Sequence, residues 1–248
     1  NGGNYANAAG GGAIRIIVSD TFTLNGTVSA NATTLYGQAY GAAGGSIWVT
    51  TAHLAGAGAF HADAVDAGSM STGNGGGRLA VYYSDASGFT GFDSSTAKGG
   101  KAAKDYYGNT QQDGENGTVA FVDTSVSGYG VYVPQRLVLP EDSTTVYGSL
   151  RAADDAVIDI GGGATLTVKG ALVLGAHTQV TAHGKNISAR VNSVWAGEGA
   201  ILRAGDLVVP AGAHLSADGQ GYVTGTDYIG KAAGPGGLTG SWGASYGG

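Results

Sequence analysis

One polar stretch of this glycine-rich sequence places acidic, basic and aromatic side chains close together, as a ligand-binding site requires. The stretch covers residues 101–115. Its charged groups could hydrogen-bond to a sugar, and its tyrosine rings could stack on the sugar's apolar face. A solvated loop, or a contact with a neighbouring chain, explains the same composition. The candidate ligand or partner contacts are Lys101, Lys104, Asp105, Tyr106, Tyr107, Asp113 and Glu115.

The other polar residues do not complete a recognised catalytic or metal-binding motif. The five histidines include no pair at the four-residue spacing of a helical zinc site, and no serine stands in a catalytic-triad motif. The run from Asp113 to Gly117 offers oxygen ligands for calcium, but turns use the same residue types. No cofactor is therefore predicted, and calcium is kept as an alternative.

Two pairs of adjacent carboxylates could in principle serve an enzyme. Glycoside hydrolysis needs two carboxylates that face each other across a cleft. The pairs Glu141-Asp142 and Asp154-Asp155 are sequence neighbours, and neighbouring strand residues point to opposite faces. They are interpreted as solvated turn residues, and the chain is predicted not to be an enzyme.

The composition excludes several protein classes. Of 248 residues, 48 are glycine but only 4 are proline, which does not fit collagen. Hydrophobic residues make up 42% and charged residues 12%, which does not fit disorder. The net charge of −6 argues against nucleic-acid partners, and no apolar run is long enough to predict membrane insertion. Together with the absence of cysteine, this composition favours an extracellular or cell-surface bacterial protein.

A seven-residue apolar repeat runs through the second half of the sequence. Glycine stands four residues after five of the eight apolar positions, and the segment is rich in strand-forming residues, so a coiled coil is excluded. Each heptad is interpreted as a strand followed by a glycine corner, where glycine accepts a positive φ. The eight positions are Leu166, Val173, Val180, Ile187, Val194, Ile201, Val208 and Leu215.

Three heptads predict a coil of about 21 residues in a triangular parallel β-helix, with residues 21 apart stacked in interior columns. An antiparallel meander in a sandwich is the alternative fold. The predicted columns are Leu166 with Ile187 and Val208, Val173 with Val194 and Leu215, and Val180 with Ile201.

Glycine pairs that lead into strands recur in the first half at spacings of 33 and 32 residues. The longer period predicts a coil with a glycine-rich loop inserted at one corner. Strands with alternating apolar residues follow each pair. The three copies are Gly11-Gly12-Ala13-Ile14-Arg15-Ile16, Gly44-Gly45-Ser46-Ile47-Trp48-Val49 and Gly76-Gly77-Arg78-Leu79-Ala80-Val81.

These patterns predict one all-β domain over residues 1–248. Residues 84–117 are predicted to leave its body as a polar excursion, and residues 219–248 to form a glycine-rich loop that continues towards a next repeat. Trp242 and Tyr246 in that loop are predicted partner contacts, because exposed aromatic residues often mark interfaces. The two ends read as two sides of one junction, which predicts either that the chain is a piece of a longer array or that copies stack end to end.

The glycine-pair strands, together with Leu215-Ser-Ala-Asp-Gly-Gln-Gly-Tyr222 and the closing Gly-Ala-Ser-Tyr-Gly-Gly, resemble repeats of very large bacterial surface proteins. Those proteins are glycine-rich, right-handed parallel β-helices (β-solenoids) of the adhesin type. The resemblance implies export, tandem repetition and a fibrous or adhesive role, and it carries no catalytic residues with it.

We therefore expect a structural or adhesive module of an extracellular bacterial surface protein or filament. The expected partners are copies of the chain or adjacent repeats of the same protein, with surface glycans as a further class. The alternative function is that of a carbohydrate-binding or polysaccharide-degrading β-helix, acting through the 101–115 stretch. A ligand bound there would favour that alternative.

Overall fold

The computed structural model describes residues 8–34, 41–68, 72–188 and 190–222. These residues form β-strands and no helix, so the predicted all-β class is confirmed, and no helix that could span a membrane occurs among them. The strands are β1 Ala8–Ala9, β2 Ala13–Ile17, β3 Thr21–Thr23, β4 Thr27–Ser29, β5 Thr33–Thr34, β6 Ser46–Thr50, β7 His53–Gly56, β8 Ala59–His61, β9 Arg78–Tyr83, β10 Asp85–Phe89, β11 Thr118–Asp123, β12 Gly130–Val133, β13 Arg136–Leu139, β14 Thr144–Tyr147, β15 Ser149–Ala152, β16 Val157–Ile160, β17 Thr165–Val173, β18 Gln179–Ala182, β19 Gly184–Lys185, β20 Glu198–Gly199, β21 Ile201–Val208 and β22 His214–Ser216.

In the first half, successive strands belong to three different sheets in turn, and the chain then returns to the first sheet. Strands β2, β6, β9 and β11 pair in parallel in the main sheet, β3, β7 and β10 in a second sheet, and β4 and β8 in a third. Ile14 lies beside Ile47, and Ile47 beside Leu79. The predicted correspondence of the three glycine-pair strands is therefore confirmed.

The glycine pairs serve a different purpose from the one predicted. None of the six glycines in these pairs has a positive φ. Instead, the backbones of successive returns approach so closely that a Cβ added to Gly77 would lie 1.9 Å from the carbonyl oxygen of Gly45. Close backbone approach, and not a left-handed corner, is what excludes larger residues here.

The 21-residue period holds in the middle of the second half but fails beyond it. Leu137 lies beside Ile158, and Ile158 beside Val180, at spacings of 21 and 22 residues. From β18 onwards the spacing lengthens, because additional residues, described over 183–188 and 190–200, lie between β18 and β21 and contain the antiparallel pair β19–β20.

The predicted interior columns are wrong for this reason. Leu166 lies beside Leu202, Val173 beside Val208, and Val180 beside Leu215. Ile187 is in no strand, and Val194 lies in a short exposed turn. Gly170 and Gly205 also depart from the prediction, since they lie within β17 and β21 and not between strands.

The main sheet reverses its strand direction once, between β11 and β12. The strands from β2 to β11 are parallel to one another, β12 is antiparallel to β11, and β15, β17 and β21 then run parallel to β12. The chain still advances across the sheet in the same sense.

Two hydrophobic cores lie on opposite faces of this sheet. The first core contains Phe60, Val119 and Phe121, and the second contains Val122 and Val131. Alternate residues of a strand point to opposite faces, so β11 contributes to both cores. All four residues from Val119 to Val122 are buried accordingly.

The predicted polar excursion, residues 84–117, begins with a strand. Strand β10 pairs in parallel with β7, which the sequence prediction did not include. Its burial pattern is irregular, with Phe89 as its one fully buried residue, so it carries no alternating apolar signal. The rest of the segment hydrogen-bonds to the preceding return, for example through Ala62 N–H and Thr96 O, at 2.8 Å.

Candidate functional site

The structure brings two of the predicted site residues together as an ion pair. Lys101 Nζ donates a hydrogen bond to Asp113 Oδ2 at 2.9 Å, and the other carboxylate oxygen accepts from the backbone N–H of Ala102 at 2.7 Å. These contacts, the backbone hydrogen bond first, lower the pKa of Asp113. Both oxygens of Asp113 therefore hold the loop together.

Asp105 organises a separate turn within the same loop. Its carboxylate accepts hydrogen bonds from the N–H of Tyr107, the N–H of Asn109 and the Nδ2 of Asn109, at 2.8–2.9 Å. The Asn109 hydrogen bonds are the main reason that its pKa is lowered. The rings of Tyr106 and Tyr107 are strongly exposed and meet edge to face, with centroids 5.6 Å apart. Lys104 forms a backbone bridge with Thr110.

Glu115 points to a different neighbour and begins a chain of charged contacts. Its Oε2 lies 2.8 Å from Arg136 Nη1, and Arg136 Nε donates to Asp159 Oδ2 at 2.8 Å. Asp159 Oδ1 lies 3.0 Å from His183 Nε2. Burial lowers the pKa of Arg136, but its contacts with Glu115 and Asp159 outweigh burial and raise the pKa overall. This chain ties the 101–115 loop to the sheet of β13, β16 and β18.

The calcium alternative gains no support from this arrangement. Asp113 and Glu115 bind basic side chains, and no group of three metal-binding side chains occurs in the part of the chain that the structure describes. Trp242 and Tyr246 lie outside the described residues.

The change of core side at β11 creates two grooves that the sequence did not predict. The first, the Trp48 groove, lies where the outer face of β6 and β9 meets β13 and β14, and its volume is about 760 Å³. The Trp48 and Tyr82 rings stack with centroids 4.8 Å apart. Tyr129 and Tyr147 also line the groove, so its surface is largely aromatic and aliphatic.

The second groove, the Tyr132 cleft, lies on the opposite face of the main sheet. It is formed by Asp93, Tyr132, Arg151 and Asp154, where the outer face of β12 and β15 meets the first half of the chain. A cavity of about 430 Å³ adjoins one of about 340 Å³ there, and the two share Asp93, Tyr132 and Arg151. Carboxylate, guanidinium and phenol groups converge in this cleft.

The Tyr132 cleft is built from side chains whose partners are fixed. The Tyr132 hydroxyl donates a short hydrogen bond to Asp93 Oδ1, and the guanidinium carbon of Arg151 lies 5.5 Å from the centroid of the Tyr132 ring. Burial, followed by the contact with Asp93, raises the pKa of Tyr132. Asp154 Oδ1 accepts from the N–H of Ala176 at 2.8 Å.

A sequence signal for this cleft exists in the alternation of two strands. Tyr132 and Arg151 each stand between buried residues, which places both side chains on the outward face. The register aligns them, because Tyr132 lies directly beside Arg151. The position of Asp93 in the cleft depends on the reversal of strand direction between β11 and β12, which the sequence did not predict.

Comparison of the chain with protein-family models, with curated proteins and with solved structures finds no match in any of the three.

Proposed function

We propose that this chain is a segment of a right-handed parallel β-helix that serves as a structural and adhesive module and stacks end to end with copies of itself or with adjacent repeats. The parallel registers at spacings of 32–33 and 21–22 residues support a helix of this kind. Right-handed crossover is the rule for parallel strands in one sheet.

The observation that carries the stacking proposal is the apolar surface of the strands at the sheet edges: β2 and β21 in the main sheet, and β22 in the sheet of β13, β16 and β18. On β21, Leu207 continues the column of Val131, Leu150 and Leu172, yet it is 44% exposed. Leu215 on β22 continues the column of Val180 and is 48% exposed. Among the described residues, no further strand pairs with the outer side of β21 or β22. An unpaired strand that ends a hydrophobic column is a template for pairing with another chain.

The opposite edge has the same character. Ile14 and Ile16 of β2 continue the columns of Ile47 and Val49 but are only half-buried, and Ile17 is exposed. No strand pairs with the outer side of β2 among the residues described. Apolar edges at both sides support assembly in both directions.

The composition supports placement of this module at a bacterial cell surface or in the extracellular space. The chain lacks cysteine, has few charges and is rich in glycine, which is typical of the surface repeats that it resembles. The charged side chains of Lys101, Asp105, Asp113 and Glu115 contact other groups of the loop or the sheet, which supports a structural role for that loop.

Electron microscopy and light scattering of the purified chain over a range of concentrations test the proposal. We expect rods that lengthen with concentration, with this chain repeating along the axis. The Leu207→Lys/Leu215→Lys double variant is expected to remain folded by circular dichroism but to stop assembly. Trp48→Lys is the matched control, because Trp48 is 45% exposed but lies on an inner strand. A folded wild-type monomer at every concentration would overturn the proposal.

A further inference from the structure

The Tyr132 cleft has the size and position of a binding site. Its larger cavity, of about 430 Å³, lies within the range of about 300–1,000 Å³ that small-molecule sites occupy. Its walls come from both halves of the chain: Asp93 and Phe92 from the first, and Tyr132, Arg151 and Asp154 from the second. The offset of the two cores therefore produces the concavity, and the turn at residues 92–94 forms part of its wall.

The cleft offers hydrogen-bonding groups of both kinds to a ligand. Asp93 and Asp154 each use one carboxylate oxygen, Oδ1, within the protein, and the other oxygen of each accepts no hydrogen bond from the described residues. The Arg151 guanidinium lies over the Tyr132 ring and forms no ion pair with any carboxylate in the described part of the chain. Two acceptors and a multiple donor are thus available in one place.

The mixture of charges selects a class of ligand. Two carboxylates disfavour an anion, and the guanidinium disfavours a simple cation. A hydroxyl-rich neutral molecule can donate to the carboxylates and accept from the guanidinium at the same time. The rings of Tyr132 and Phe92 supply apolar surface against which the C–H groups of a sugar ring can pack.

We propose that the Tyr132 cleft binds a neutral sugar residue of a glycan, with Asp93 and Asp154 as acceptors and Arg151 as donor. The proposal gives the adhesive part of the proposed function its ligand class, and to that extent rests on it. The cleft reaches Val173 of β17, which pairs with β21, but no residue of β2, β21 or β22 lines it. Binding and stacking therefore use different residues.

A glycan array tests the ligand class with the full-length chain as probe. The array carries neutral oligosaccharides of glucose, mannose and galactose, and uronic-acid oligosaccharides of matched length. We expect binding to at least one neutral oligosaccharide and none to the uronic-acid series. Binding of none of the neutral sugars, or of acidic sugars alone, would overturn the proposal.

Isothermal titration calorimetry with the neutral oligosaccharide that binds best on the array then tests the site. Arg151→Ala and Asp154→Asn are each expected to weaken the affinity about tenfold or more, because each removes a hydrogen bond to a charged group. The matched control is Asp155→Asn: Asp155 is the exposed neighbour that faces His177, and its positive φ suits asparagine. An affinity unchanged by Arg151→Ala would place the sugar elsewhere. Light scattering of the same samples reports stacking separately, so failure of either function is recognised independently.

Discussion

Trp48 and Ala120 occupy the same column of the main sheet, with Ala80 between them, yet Trp48 is 45% exposed whereas Ala120 is 9% exposed. The column passes from the outer surface of the first half into the core of the second. Neither side chain changes its orientation relative to its strand. The environment changes, because β12 reverses direction and the second core forms on what had been the outer face.

This relationship predicts that two adjacent positions of the column differ in how well they tolerate a charged side chain. Ala120→Asp places an unpaired charge in the second core and is expected to lower the free energy of unfolding by at least about 3 kcal/mol. Ala80→Asp, its neighbour in the column, is half-buried and should cost about 1 kcal/mol or less. Urea unfolding measures both. Equal losses would contradict the finding that this column is buried only where it enters the second core.

Close backbone approach predicts a position-dependent cost of replacing glycine with alanine. In Gly77→Ala the added Cβ meets the carbonyl oxygen of Gly45, which cannot move away as a side chain could, so a loss of about 1–3 kcal/mol is expected. Gly12 occupies the equivalent position immediately before the outermost strand, β2, and a Cβ there meets nothing within 4 Å. Gly12→Ala is thus the control. Its midpoint temperature of thermal unfolding should equal or exceed that of the wild type.

The buried charge at Asp159 predicts a loss of stability when it is neutralised. Asp159→Asn keeps the shape of the side chain but removes the charge that Arg136 and His183 face, and the expected loss is about 1.5–3 kcal/mol. Asp20→Asn, at an exposed carboxylate 3.9 Å from His53, should change the free energy of unfolding by less than about 0.5 kcal/mol. Chemical denaturation measures the free energy of unfolding of both variants. A similar loss at both sites would contradict the structural role of Asp159.

The raised pKa of Tyr83 predicts a loss of stability at alkaline pH. Burial, followed by the charge of Asp123, raises the pKa of Tyr83 to about 12, from an ordinary value of 10.0. The folded state therefore keeps a proton that the unfolded state loses, so this contribution is complete below about pH 10 and disappears as the pH rises towards 12. Urea midpoints measured across this interval should fall, and they should fall less steeply in Tyr83→Phe. Identical slopes in the two proteins would contradict the prediction.

The first half could be predicted from the sequence because its signals are local. A glycine pair followed by alternating apolar residues marks the start of β2, β6 and β9, and their spacing fixes which residues lie side by side. The same reasoning failed after β18, where a regular apolar heptad crosses a loop. Val194 and Ile201 keep the spacing but are exposed, so periodicity alone did not distinguish interior columns from coincidence.

The two grooves could not be predicted, because they depend on which face of the sheet each core occupies. Alternation within one strand gives two faces but does not say which of them a distant segment will cover. One clue is present in the run from Val119 to Val122, whose unbroken apolar character fits a strand buried on both faces. The turn at residues 124–129 then permits the antiparallel return of β12.

The single reversal inside the main sheet also makes its two outer strands, β2 and β21, run in opposite directions. A copy displaced along the sheet by translation alone would therefore offer its β2 to the β21 of its neighbour in antiparallel alignment, with the hydrophobic side switching across the joint. That is the relation by which β11 and β12 are already joined within one chain. All copies in such a fibre would point the same way and would be related by translation, without rotational symmetry. The hydrophobic core would pass from one face of the sheet to the other at every half-chain.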